Sequence, residues 1–209
     1  NRENLVPVLR IVHEILRRPK LPAEELELIR EELLSNAAER VSDPVSIATN
    51  TVTRKLAPYE IDDPRYVAEL REDMERTRTV TIEQVQEVYQ RLVGATVGEL
   101  TIVGDFDKDP VVQAAEMLTQ DWVSNVAFER IPRISVNNSI GDFVQIETPD
   151  KANAAYFAAM TLPMKDSDAD YPALAIGNFI LGSGGLSSRL ADRVRQKDGL
   201  SYTVQSNLQ

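Results

Sequence analysis

Cysteine is absent from the 209 residues, which excludes disulfides, thiolate-bound zinc, iron–sulfur clusters and thiol catalysis. Histidine is almost absent too. His13 is the single one, so no site that takes two histidines can be assembled within one copy of the chain. Aromatic residues make up 6%, and the core is therefore expected to consist of Ala, Val, Leu and Ile. No apolar run approaches the ~18 residues that span a bilayer, so no membrane span is expected. Positive charge is in the minority, with 23 Lys and Arg against 33 Asp and Glu and a net charge of −10. Such a chain repels phosphate backbones, and nucleic acid is not an expected partner. What is present is 43% hydrophobic and 27% charged, near the globular average. The length suits one large domain or two small ones.

The first half reads as helices. Leu5, Val8, Leu9, Val12, Ile15 and Leu16 keep helical spacing until Pro19. Pro22 suits the first turn of a second helix, with Glu24 and Glu25 at its positive end and Leu26, Ile29, Leu33 and Ala37 on one face. Asp43-Pro44 opens a third, whose Val45, Ala48, Val52 and Leu56 are expected to face inward. Residues 57–66 read as a loop, and Thr81 with Gln84 forms a capping box for a helix stopped by Gly94. Asp109-Pro110 opens a further helix.

Residues 121–141, with Pro132, Asn137, Asn138 and Gly141, read as a connection. Strand patterns are expected at 100–103, 143–147 and 154–162, and again at 200–204 where Leu200, Tyr202 and Val204 alternate. Between the last two lies a helix opened by Asp170 and Pro172, then Gly182-Ser-Gly184-Gly185, then a short helix from Ser187 to Gln196. Residues 1–18 already read as helix and the C-terminal strand as still under way, so the chain is expected to be a piece of a longer protein. An uncovered strand in such a piece is expected to promote self-association.

Candidate sites divide by how well their spacing fits a chemistry. The glycine cluster follows a helix, and no Lys-Ser/Thr pair follows it, so neither the P-loop nor the dinucleotide fingerprint is met. A flexible turn is the plain reading. His13-Glu14 lacks a second histidine, since positions 10 and 17 are Arg10 and Arg17. Glu31 and Glu32 read as a solvated helix face, and Asp166, Asp168 and Asp170 as a capping loop without the glycine and closing Glu of a calcium loop. Arg195 and Tyr202 are more specific. A helix–turn–strand around Gly199 can bring a guanidinium and a phenol together, offering donors to a peptide carbonyl or its oxyanion. Spacing alone favours a surface arginine and a core tyrosine.

Three stretches, Asp170-Tyr-Pro-Ala-Leu, Leu181-Gly-Ser-Gly-Gly-Leu-Ser-Ser-Arg-Leu190 and Arg193-Val-Arg-Gln-Lys-Asp-Gly-Leu-Ser-Tyr202, resemble the pitrilysin/insulinase family of zinc metallopeptidases. Val103-Gly-Asp-Phe-Asp107 and Asp63-Pro-Arg-Tyr66 fit the same family's upstream domain. The resemblance implies an α+β fold, with mixed or antiparallel sheets flanked by helices. It also implies parts of two homologous domains: 1–130 from one that lacks the zinc motif, and 131–209 from the start of the next. HxxEH is absent, and the position matching the distal zinc glutamate falls nearer Asn36 than Glu31 or Glu32. The chain therefore resembles the zinc-less half, with no metal or cofactor of its own and zinc expected in a catalytic half. The resemblance further implies that Arg195 and Tyr202 hold an unfolded peptide or small protein substrate, with Gly182, Gly184 and Gly185 matching a glycine-rich loop that handles substrate. A catalytic zinc-bearing half, on the same or a separate chain, is the implied partner. A periplasmic or secreted location is favoured over a cytoplasmic one. The other reading is an interaction module that assembles with a catalytic chain and never touches substrate.

Overall fold

The computed structural model describes residues 1–132 and 141–208. Every regular element among them is helical: α1 (Arg2–Arg17), α2 (Ala23–Arg40), α3 (Pro44–Leu56), α4 (Leu70–Thr79), α5 (Ile82–Leu92), α6 (Lys108–Thr119) and α7 (Tyr171–Asn178). Short π-helical and 3₁₀ segments follow α7. The described residues group into two units, 1–132 with 141–159, and 160–208. Asn137 and Asn138 of the expected connection lie outside the described residues.

In the first unit, α1 packs on α6 through Leu9, Val111 and Leu118, which are buried. Two arginines hold the helices at both ends. Arg2 pairs with Asp105 at 3.0 Å and with Asp107, just ahead of α6. Arg17 donates to the carbonyls of Leu118 and Gln120, at 3.4 and 2.7 Å, where α6 ends. The two helices therefore run in the same direction. The Tyr89 hydroxyl of α5 donates to the Leu16 carbonyl. α2 packs on α4, where the Arg30 guanidinium caps the helix end by donating to the carbonyls of Thr77, Arg78 and Val80.

Caps form where hydroxyl and carboxylate spacing allows. Thr81 and Gln84 exchange both capping-box bonds, at 3.3 and 2.9 Å. Asp43 accepts from the Ser46 N–H at 2.7 Å, which holds its pKa below the ordinary value. α6 begins at Lys108, earlier than Asp109-Pro110 suggests, and its N-cap Asp107 makes no capping bond. Arg2 takes both carboxylate oxygens instead. Pro22 stands at the N-cap of α2, not inside its first turn.

The expected α+β fold, with mixed or antiparallel sheets flanked by helices, is corrected: no strand occurs among the described residues. The segments at 100–103, 143–147, 154–162 and 200–204 carry no regular structure. A helix closes its hydrogen bonds within itself. A strand exists only when a second one lies about 4.8 Å away to complete the ladder. Alternation of side chains records the preference but supplies no neighbour, and here Val103, Phe143 and Tyr156 stand 92%, 77% and 84% exposed. Of the apolar faces expected on α2 and α3, Leu26, Ala37, Ala48, Val52 and Leu56 are half-buried. Ile29, Leu33 and Val45 are exposed, because the unit places no apolar layer over them.

Candidate functional site

The second unit builds its site from α7 onward. α7 runs directly into a π-helical turn, Phe179–Ser183, in which the Gly184 N–H reaches back to the Phe179 carbonyl at 2.9 Å. That wide turn needs glycine. A Cβ on Gly184 would lie 2.7 Å from the same carbonyl, and Gly185 sits at φ +68°, a left-handed conformation. Gly182 serves a close approach. Its missing side chain leaves room for Ser206, whose N and Oγ would lie 2.4 and 2.5 Å from an added Cβ.

Ser188, almost fully buried, starts the next helix by accepting from the Ala191 N–H at 3.3 Å. A second π-helical segment, Ala191–Lys197, follows. Its end is closed by the Leu200 N–H bonding to the Val194 carbonyl at 3.0 Å, with Gly199 at φ +64°. π-helical turns are rare and gather at functional sites. One of them contains Gly182 and the other follows the glycine stretch.

Three basic residues project from this last segment, and only one is left available. Arg193 is paired with Asp198 at 3.0 Å and Lys197 with Asp192 at 2.8 Å. The Asp192 carboxylate raises the Lys197 pKa above its ordinary value. Arg195 lies over the Tyr202 ring, 4.3 Å from the centroid. The sequence expectation that these two meet is matched by this geometry. The alternative of a core tyrosine is excluded, since Tyr202 is 80% exposed. Among the described residues, neither the Arg195 guanidinium nor the Tyr202 hydroxyl has a hydrogen-bond partner. The arrangement therefore presents the N–H donors of a half-buried guanidinium beside one exposed O–H donor. Sequence reasoning missed Gln196, which donates to the Leu186 carbonyl at 2.7 Å, and Ser206 beside Gly182. No motif marks either.

The other candidates have structural partners. Asp63 and Arg65 pair at 2.7 Å, Arg65 stacks on Tyr59 at 4.0 Å, and its guanidinium donates to the Pro132 carbonyl at 3.1 Å. The Arg65 hydrogen bonds hold the Asp63 carboxyl down to about 2. The Tyr66 hydroxyl donates to Glu72 at 2.7 Å, which raises the tyrosine pKa and lowers that of the glutamate. Asp168 accepts from the Lys165 N–H at 2.8 Å, whereas Asp170, at the N-cap of α7, makes no capping bond. Glu31 and Glu32 are exposed on α2. The residues do not fit a zinc site. His13 is the sole imidazole, and one turn on stands Arg17, already bonded to α6 carbonyls. Among the described residues no group of three His, Asp or Glu side chains is placed to hold a metal. No described helix is long and apolar enough to cross a membrane.

Three comparisons bear on this arrangement. The family model described as peptidase M16 inactive domain matches residues 79–209. A curated relative, the probable inactive metalloprotease YmfF of Bacillus subtilis (strain 168), is 29% identical over 156 residues, which cover 71% of this chain and 34% of the relative. The crystal structure of a peptidase M16 inactive domain from Pseudomonas fluorescens is similar with a TM-score of 0.61 at 20% identity. That match covers 97% of this chain and 47% of the other, and it is a likeness of fold. The chain thus spans about a third of the curated relative and about half of the solved one.

Proposed function

The chain belongs to the peptidase M16 inactive-domain family, and from that premise we propose that it is a peptide-binding part of a zinc metalloendopeptidase-like protein, closing the chamber opposite a catalytic half. The observation that carries this reading is the Arg195–Tyr202 pair, stacked at 4.3 Å with its hydrogen-bonding groups free among the described residues. An unfolded peptide exposes backbone carbonyls along its length, and each accepts hydrogen bonds. The guanidinium holds one such oxygen in the ground state. The phenol hydroxyl, a single directional donor, is placed to add to that grip as negative charge grows on the oxygen during attack from the opposite wall. Gly182, Gly184 and Gly185 form the turn that precedes the segment carrying Arg195, and at exposed Gly185 an added Cβ would meet nothing within 4 Å, which leaves the backbone open to a passing peptide. The zinc and the nucleophile belong to the catalytic half.

The test is binding of an unstructured peptide to this chain with and without a catalytic half of the same family. Arg195→Ala is expected to weaken binding about five- to tenfold, the effect of losing roughly 1–1.5 kcal/mol of hydrogen bonding. Tyr202→Phe is expected to change turnover of the assembled pair more than affinity. Unchanged affinity and turnover in both variants would remove the assignment. A second reading, an interaction module without substrate contact, is supported by the exposed apolar side chains of the first unit, such as Val103 and Tyr156. It is favoured if the chain binds a catalytic half tightly while peptide affinity is the same for every variant.

A further inference from the structure

We infer that Gln196 and Ser206 are positioning residues for the Arg195–Tyr202 pair, tying both partners to the glycine turn; this rests on the peptide-binding reading. The pair itself has little to fix it. A half-buried guanidinium stacked on an exposed phenol is a weak contact, and long side chains lose rotamer freedom to hold it. Its register must come from the backbone pieces that carry the two residues. Arg195 rides on the segment Ala191–Lys197, and Tyr202 follows the Gly199 turn without regular structure of its own.

The two pieces are anchored at opposite ends of the glycine stretch. Next to Arg195, the Gln196 side chain donates from Nε2 to the Leu186 carbonyl at 2.7 Å. Beyond Tyr202, the Ser206 hydroxyl donates to the Asn178 carbonyl at 3.4 Å, and the Asn178 amide donates back to the Ser206 carbonyl at 3.5 Å. These acceptors and donors bracket the glycine stretch, from the end of α7 to the turn after Gly185. Gly182 lets the Ser206 backbone come close enough to make the second tie, since any Cβ there would meet the Ser206 N at 2.4 Å. The glycine turn is therefore a common base, with one arm carrying the guanidinium and the other the phenol. Movement of either arm changes the ring-to-guanidinium stacking.

The experiment uses the full 209-residue chain and a fluorescently labelled, unstructured peptide containing Lys and Leu. Two readouts are taken: peptide affinity by anisotropy, and the upfield ring-current shift of the Arg195 side-chain protons by NMR. Gln196→Met keeps the length of the side chain without its donor, and Ser206→Ala removes the hydroxyl. Both are expected to move the Arg195 protons toward their unstacked shift and to weaken peptide binding about threefold or more, the size of effect that loss of one hydrogen bond gives. Ser206→Thr, which keeps the hydroxyl, is expected to retain the shift. Helical circular dichroism and the melting temperature, measured alongside, are expected to stay at wild-type values; a loss of stacking only in parallel with melting would count against positioning. If Arg195→Ala weakens binding while Gln196→Met and Ser206→Ala leave the Arg195 shift at wild type, the positioning inference is wrong and the peptide-binding reading stands. If Arg195→Ala and Tyr202→Ala both leave peptide affinity unchanged, the reading fails and takes the inference with it.

Discussion

Asp63 and Gly182 are the residues whose surroundings make sharp demands. Asp63 accepts from the Arg65 side chain and backbone, and these bonds hold its carboxyl down to about 2. A folded-state value below the unfolded one means the carboxylate contributes stability above the ordinary aspartate range near ~3.9. That contribution is lost as pH falls through about 2. Asp63→Asn is therefore expected to lower the denaturation midpoint at neutral pH and to have almost no effect below pH ~2. Carboxyl NMR titration of the wild type checks the value, and an ordinary Asp63 midpoint would refute the pairing. Gly182 carries a steric demand in place of an electrostatic one. Gly182→Ala must push the Ser206 backbone away, a strain costing roughly 1–3 kcal/mol in a packed site, read by urea denaturation. Gly177 is the control. It lies in α7 with nothing within 4 Å of an added Cβ. Gly177→Ala is expected to stabilise by roughly 0.5–1 kcal/mol, because only the backbone-entropy term remains.

The boundaries of α3 and α5 followed local chemistry, and the apolar faces of α2 and α3 did so only in part. The Thr81–Gln84 capping box and the Asp43 cap were legible because each is decided by residues three positions apart. Thr81→Ala is expected to cost about 1 kcal/mol in thermal denaturation. Asp170→Ala is expected to change little, since Asp170 makes no capping bond at the start of α7. A loss at Asp170 as large as at Thr81 would contradict the contrast. α4 escaped the sequence reading, although Glu69 and Glu72 form a capping box that could have announced it. Its content is polar, so apolar periodicity, the signal being followed, had nothing to register. The stop of α5 at Gly94 was read from the residue type. Glycine at that position also serves a close backbone approach, for an added Cβ would lie 2.5 Å from the Ser124 N.

Across the chain, the balance lies between exposed apolar side chains and a net charge of −10. Apolar area of this kind favours association, while like charge opposes it. Salt screens charge to within about 8–10 Å at physiological ionic strength and leaves apolar attraction in place. Sedimentation is therefore expected to show association that increases with salt and with concentration, and a monodisperse monomer under every condition would refute it. Composition and motif order by themselves determined that the chain cannot assemble a two-histidine metal site, and that it resembles a zinc-less peptidase half. They also placed the starts of α3 and α5 and singled out Arg195 and Tyr202, because each of those rests on residue identity and short spacing. Tertiary structure alone decided that the alternating segments stay unpaired, since a strand is completed by a neighbour that its own sequence does not specify. It alone decided that Arg193 and Lys197 are neutralised while Arg195 is left to stack on Tyr202, because the choice among three nearby cations depends on which carboxylate the folded turn brings within reach.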